Sequence, residues 1–132
     1  MDSPSPGRSI LIVEDNADAR DALRVLLELE GHAVEAVEEG QQALEIMRAK
    51  DPDIALVDIG LPGIDGYEVA RRVRARDDRR PVLIALTGYG QPEDQRRASE
   101  AGFDEVLVKP VDPTTLATLL ATLEIPGRES RG

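Results

Sequence analysis

Apolar residues along this chain fall into two alternating patterns, short continuous runs and sets spaced for one face of a helix. Ile10-Leu-Ile-Val13 is a run, ended by Glu14-Asp15. Asn16 then caps a helix with Ala19, Ala22, Leu23, Leu26 and Leu27 at helical spacing, stopped by Gly31. Ala33 to Val37 reads as a weaker strand, and after Gly40 comes a short helix with Ala43, Leu44 and Met47. Pro52 separates it from a strand over residues 53–58, in which Ile54, Ala55, Leu56 and Val57 are uninterrupted apolar positions, as in a strand covered on both faces. After the Pro62-Gly63 turn, Asp65 is placed to cap a helix with Val69, Ala70 and Val73 on one face. Pro81 opens the run Val82-Leu-Ile-Ala-Leu86, which ends in Thr87-Gly88. Residues 92–101 form a helix with Pro92 in its first turn and little but Ala98 and Ala101 to bury. Glu105-Val-Leu-Val108 is the fifth strand, ended by Lys109-Pro110. The last helix has Asp112 as cap, Pro113 first, and Leu116, Leu119, Leu120 and Leu123 along one face.

Five strands alternating with five helices through short loops predict an α/β fold with a parallel sheet covered on both sides. The strand order is not readable from the pattern; 2-1-3-4-5 is a common order for a doubly wound unit of this size. At 132 residues the chain has room for one core. The expected division is a loose tail over residues 1–8, a folded domain over 9–124 and a second tail over 125–132.

In a parallel sheet the strands' carboxyl ends share one edge, where ligands bind in open α/β sheets. The predicted strand ends bring Glu14 and Asp15, Asp58, Thr87 and Lys109 to that edge. Carboxylates about 4 Å apart repel by roughly 4 kcal/mol per pair at an effective dielectric near 20, so cations must offset them. Lys109 supplies one, and a hard divalent ion with oxygen ligands, Mg²⁺, supplies the rest. With the metal bound, Asp58 is a carboxylate nucleophile for phosphorus, and metal, Lys109 and the Thr87 hydroxyl share the charge on the phosphoryl oxygens. Taken singly these residues have plainer readings: Asp15 or Asn16 as a helix cap, Thr87 as a turn residue, Lys109 as a surface charge. Their convergence on one edge favours a site.

Composition narrows the function classes. With no cysteine there is no disulfide framework, thiolate metal site or cysteine nucleophile. A net charge of −10 and only three aromatic residues, Tyr67, Tyr89 and Phe103, argue against a nucleic-acid partner. The basic stretch from Arg71 to Arg80, diluted by Asp77 and Asp78, reads as the solvated face and exit of a helix. No apolar run is long enough to insert in a membrane and the N-terminus lacks a targeting pattern, so a cytoplasmic protein is expected. His32, the only histidine, falls at the end of the first helix, away from the carboxyl edge, and reads as a surface residue and not as a base.

With these residues in their order over positions 9 to 124, the sequence resembles a two-component response-regulator receiver domain, similar to chemotaxis regulators, a family with a flavodoxin-like (βα)5 fold. The resemblance implies that Asp15 contacts Mg²⁺ directly and Glu14 through water, with the Gly60 backbone carbonyl as a further ligand. Asp58 corresponds to the phospho-accepting aspartate, Thr87 to the switch hydroxyl, and Lys109 to the phosphate-pairing lysine, followed by a cis peptide to Pro110. It implies a phosphoryl group received from a histidine kinase or phosphotransfer protein, and a switch that modifies itself rather than a turnover enzyme. An aromatic residue or histidine that relays the switch in many members is replaced here by Val106, which cannot make that rotamer signal; Tyr89 is an alternative carrier.

The predicted reporting surface is the fourth helix, fifth strand and fifth helix, since the fourth helix has an almost wholly alanine face. Its partner is expected to be a protein. A stand-alone regulator and a receiver excised from a hybrid kinase or multidomain regulator both fit. A Mg²⁺-dependent aspartyl-phosphate phosphatase fits less well, because such enzymes usually carry an acid where this chain has Gly60. Flavin binding would need a phosphate-cradling loop where the chain has Glu14-Asp15.

Overall fold

A computed structural model of the chain describes residues 7–76, 80–88 and 90–124. In chain order the elements are β1 (Ser9–Val13), α1 (Ala17–Leu29), β2 (Ala33–Val37), α2 (Gly40–Lys50), β3 (Ile54–Asp58), α3 (Gly66–Arg76), β4 (Val82–Thr87), α4 (Pro92–Ala101), β5 (Glu105–Val108) and α5 (Pro113–Thr122). All strand pairs are parallel, in the order β2-β1-β3-β4-β5. The expected fold class and strand order are both observed, and the strand predicted to stop at Leu86 extends to Thr87. The expected tails fall largely in residues 1–6 and 125–132, outside the described residues, as do Tyr89 and residues 77–79 of the basic stretch.

Alternation along the strands divides the interior into two layers. Ile10, Ile12, Ile54, Leu56, Val82, Ile84 and Leu86 face α1 and α5, where Leu23, Leu27, Leu116 and Leu120 meet them. Leu11, Val13, Ala55, Val57, Leu83 and Ala85 face α2, α3 and α4. Every residue of β3 and β4 is buried, as continuous apolar runs require, whereas β2 at one edge buries none. Predicted caps close the helices: Asn16 Oδ1 accepts from the Ala19 amide (2.9 Å), Asp65 Oδ1 from Glu68 (2.9 Å) and Asp112 Oδ2 from Thr115 (2.8 Å). No helix among the described residues is long and apolar enough to cross a membrane.

Charges also occupy the opposite, amino edge of the sheet. Buried Asp53 accepts from the Ser9 amide (2.9 Å), and Arg80 lies between Asp53 (3.8 Å) and Asp51 (3.1 Å). Asp104 Oδ2 accepts from the Leu83 amide (2.9 Å) and from Arg74 (2.7 Å), which also donates to the Gly102 carbonyl (2.8 Å). His32 is half-buried there, its Nδ1 accepting from the Arg8 amide (2.9 Å), so it is a structural acceptor more than a surface residue. Burial lowers its pKa, and the Arg8 charge adds to that against the pull of Glu30.

Core and surface positions of similar chemistry should respond differently. Leu56→Ala, at a fully buried position, is expected to cost about 2–5 kcal/mol in urea unfolding. Leu29→Ala, at a position 81% exposed, should stay within about 0.5 kcal/mol of the parent. Equal losses would overturn the two-layer account of the core.

Candidate functional site

The carboxyl edge is built by hydrogen bonds that carry the parallel ladder beyond the strands. The Glu14 amide donates to Val37 (3.0 Å), the Ile59 amide to Leu86 (3.0 Å) and the Lys109 amide to the Thr87 carbonyl (2.7 Å). These ties fix the strand ends, where the chemistry-bearing side chains stand: Asp58 and Thr87 close β3 and β4, and Glu14 and Lys109 directly follow β1 and β5. Lys109 is joined to Pro110 through a cis peptide.

Glu14, Asp15 and Asp58 each offer a carboxylate oxygen, and these oxygens lie within 4.8 Å of one another. Glu14 and Asp58 are buried, at 1% and 7% exposure, while Asp15 is exposed. Lys109 Nζ bridges the two buried acids, 2.8 Å from Glu14 Oε1 and 3.2 Å from Asp58 Oδ2. Burial raises the Glu14 pKa, the neighbouring Asp58 charge adds to the rise, and Lys109 and the Asn16 amide oppose it. For Lys109, burial by itself lowers the pKa, but Glu14 and Asp58 together hold it above the usual lysine value.

The cluster is short of positive charge. Glu14 Oε1 is fully buried and its partner is the Lys109 ammonium, which Asp58 shares. The Asp15 carboxylate makes no hydrogen bond or ion pair among the described residues. With three acids and one ammonium, the donor set fits a hard divalent cation, which takes carboxylate oxygens and retains open positions.

Asp58 itself is held from both sides. Its Oδ1 accepts from the Gly60 amide (3.0 Å) and its Oδ2 faces Lys109. Gly66, the first residue of α3, packs so closely on the end of β3 that a Cβ there would lie 2.6 Å from the Asp58 carbonyl oxygen and 2.7 Å from Ile59 Cα. Only glycine lets α3 begin at that distance. A Cβ at Gly60, by contrast, would find open space, its nearest atom being Asp58 Oδ1 at 3.8 Å, so no side chain covers that oxygen from this position. Thr87 is buried and follows Leu86, the register partner of Asp58 on the neighbouring strand.

The structure thus clusters Glu14, Asp15, Asp58 and Lys109, ties the Gly60 amide to Asp58, and sets buried Thr87 on the same edge at the end of the neighbouring strand. Sequence reasoning missed Arg20, whose Nη1 donates to the Glu14 carbonyl (3.0 Å). The only local signal for it was a long cation in the first turns of the helix that follows Glu14-Asp15. A groove of about 650 Å³ between α1 and α5 opens beside the cluster, lined by Ala22, Leu23, Leu26 and Val111 together with Glu14 and Lys109.

Known proteins resemble this chain in sequence and in fold. The family model described as the response regulator receiver domain matches residues 10–121. Over 113 residues the chain is 39% identical to an uncharacterized 14.6 kDa protein of Leptolyngbya boryana, covering 84% of this chain and 86% of that protein. It is also 39% identical over 123 residues to the transcriptional regulatory protein AfsQ1 of Streptomyces coelicolor, covering 92% of this chain but 54% of that protein. The chain spans about half the length of such longer regulators. Among solved structures, the receiver domain of the sensor histidine kinase PA1611 from Pseudomonas aeruginosa, described with a magnesium ion in its active-site cleft, is 34% identical with a TM-score of 0.79, covering 86% of this chain and 94% of that one. A receiver domain protein from Methanospirillum hungatei is 31% identical with a TM-score of 0.80, covering 89% and 92%. The match across residues 10–121, carried by a shared fold and by relatives well above 30% identity, makes this chain a member of the response regulator receiver family of two-component systems.

Proposed function

We propose that Asp58 accepts a phosphoryl group from the phosphohistidine of a histidine kinase or phosphotransfer protein, with Mg²⁺ bound, and that the phosphorylated domain signals by a changed affinity for a protein partner. The observation that carries this reading is the Lys109 ammonium between two buried carboxylates that share a 4.8 Å cluster with Asp15. In the transfer, the donor's N–P bond breaks as an Asp58 oxygen forms the new O–P bond. Asp58 is preoriented by the Gly60 amide and Lys109, so little of the approach geometry is left to chance. Lys109 and the Thr87 hydroxyl then take up charge on the equatorial phosphoryl oxygens. Asp15, Asp58 and the Gly60 carbonyl would hold the ion, Glu14 acting through water, and the bound Mg²⁺ supplies positive charge to the phosphoryl group. The domain acts on itself and is a switch, not a turnover enzyme.

The output surface is assigned to α4, β5 and α5. α4 buries only Ala98 and Ala101, whereas α5 buries Leu116 and Leu120 and packs Leu119 against the opposite core layer, joined there by Leu123 just past the helix end. α4 also touches α3: the Arg97 guanidinium stacks 4.3 Å from the centre of the Tyr67 ring, worth about 0.5–1 kcal/mol at an exposed site, and Arg74 donates to the carbonyl of Gly102 at the helix end. Val106 lies half-buried against the α2–α4 layer, so a shift of α4 changes packing there without an aromatic swing. The same switch serves a stand-alone regulator or a receiver joined to further domains. The similarity to a relative covered over 86% of its length fits the first context, and the similarity to a sensor-kinase receiver and to longer regulators fits the second.

Incubation with acetyl phosphate and Mg²⁺ is expected to add one phosphoryl group by intact mass, and Asp58→Ala to add none. No adduct on the parent, or an equal adduct on the variant, would sink the assignment. With a phosphoryl mimic bound, amide exchange should change across α4 and β5; identical exchange with and without it counts against the output surface.

Saturation with Mg²⁺ at a hundred times its Kd should stabilise the protein by about 2.7 kcal/mol. The pH dependence follows from Glu14. Its raised pKa means that the folded state holds the proton more tightly than the unfolded chain, so Glu14's own contribution to the stability of the metal-free protein grows as pH falls through the folded Glu14 pKa toward the ordinary 4.5. That proton competes with Mg²⁺, so the Mg²⁺-induced rise in melting temperature should shrink over the same interval. Glu14→Gln should flatten both trends in a thermal-melt series; persistence of both would remove Glu14 from the metal site.

A further inference from the structure

Asp15 differs from the other acids of the cluster in how its direction is set. Its carboxylate is exposed and has no side-chain partner among the described residues, so no side-chain contact orients it and the backbone sets where its Cα–Cβ bond points. Peptide units are planar, and a hydrogen bond to either group of a unit therefore orients the whole of it. The unit after Asp15 is held through its Asn16 amide, which donates to Glu14 Oε2 (3.1 Å). The unit before Asp15 carries the Glu14 carbonyl, which accepts from Arg20 Nη1 (3.0 Å). One further unit back, the Glu14 amide is tied to Val37 (3.0 Å). Both peptide planes that define the Asp15 backbone angles are thus hydrogen-bonded, and Arg20 supplies one of the two bonds.

Arg20 is well placed for this. Its own amide donates to the Asn16 carbonyl (2.9 Å) within α1, and long helical side chains lean toward the helix N-terminus, here toward the loop after β1. The contact is part-buried and joins the arginine to a backbone oxygen rather than to an acid. Salt-bridge pairing is therefore not what holds the side chain there.

We propose that Arg20 is a positioning residue of the phosphorylation site, holding the Glu14–Asp15 peptide so that the Asp15 carboxylate points at the divalent cation. The assignment rests on the Mg²⁺ reading of the acidic cluster. It also makes a prediction opposite in sign to simple electrostatics. A guanidinium beside a metal site repels the metal, so removing its charge alone would tighten Mg²⁺ binding. Loss of the positioning bond instead weakens binding, as loss of an outer-shell partner does at other metal sites.

The test is isothermal titration calorimetry of the full chain with MgCl2 near neutral pH, alongside the melting temperature of each metal-free variant. Arg20→Met, which keeps the length and removes the donor, is expected to weaken Mg²⁺ binding by about tenfold. Arg20→Gln, too short to reach the carbonyl, should weaken it likewise and serves if the Met variant folds poorly. Arg20→Lys should restore most of the affinity by donating one hydrogen bond. Unchanged or tighter Mg²⁺ binding in Arg20→Met and Arg20→Gln overturns the proposal, as does weakening that Arg20→Lys does not relieve. A lower melting temperature with an unchanged Kd marks a purely structural arginine and overturns it too. Absence of Mg²⁺ binding in the parent would instead reject the metal site itself, and Arg20's role with it.

Discussion

Three carboxylates held within 4.8 Å of one another are the constraint on which the rest of this structure depends. Mutual repulsion would drive them apart in a flexible chain, so the backbone has to hold them. It does so with the stiffest part of the fold: β1 and β3 are neighbours at the centre of the sheet, both buried, and their hydrogen bonding continues into the residues that follow them. Lys109 offsets part of the charge by reaching both buried acids, and it can do so because β5 ends two strands away on the same edge. One ammonium cannot balance three carboxylates, and the open Asp15 carboxylate is what makes the edge receptive to a cation.

The amino edge uses charge differently. Asp53 and Asp104 accept from backbone amides of adjacent strands, and each is joined to an arginine. Those acids satisfy strand termini and pair with cations from neighbouring loops and helices, which is structural work. The two edges of one sheet therefore separate into a stapled end and a receptive end. Burial does not distinguish them, since Asp53 and Asp58 are equally buried; the balance of partners does.

A similar asymmetry runs across the helices. α5 is fastened by leucines, and α1 by Leu23 and Leu27, while α4 rests on two alanines and a cation–π contact. Burying a methyl group stabilises far less than burying a leucine side chain, so an added charge at the site finds in α4 an element that little energy is needed to move. The chemistry is concentrated where the fold is most rigid, and the proposed response where it is least so.

Most of the fold was legible locally. Apolar runs of strand length, helical spacing of Leu23 with Leu27 and of Leu116 with Leu120, and the caps Asn16, Asp65 and Asp112 all act within a few residues of one another, and such short-range constraints are written in the sequence. The acids, hydroxyl and lysine of the site were legible because a parallel sheet sends every strand end to the same edge. The tertiary structure alone decided which groups meet: that Lys109 bridges Glu14 as well as Asp58, that Arg20 grips the Glu14 carbonyl, and that Asp53 and Asp104 serve the far edge. Most of these contacts join residues far apart in the chain, and even Arg20, near in sequence, depends on how α1 turns back over the end of β1. No local pattern records such distances; they exist only once the strands are ordered and their ends packed together.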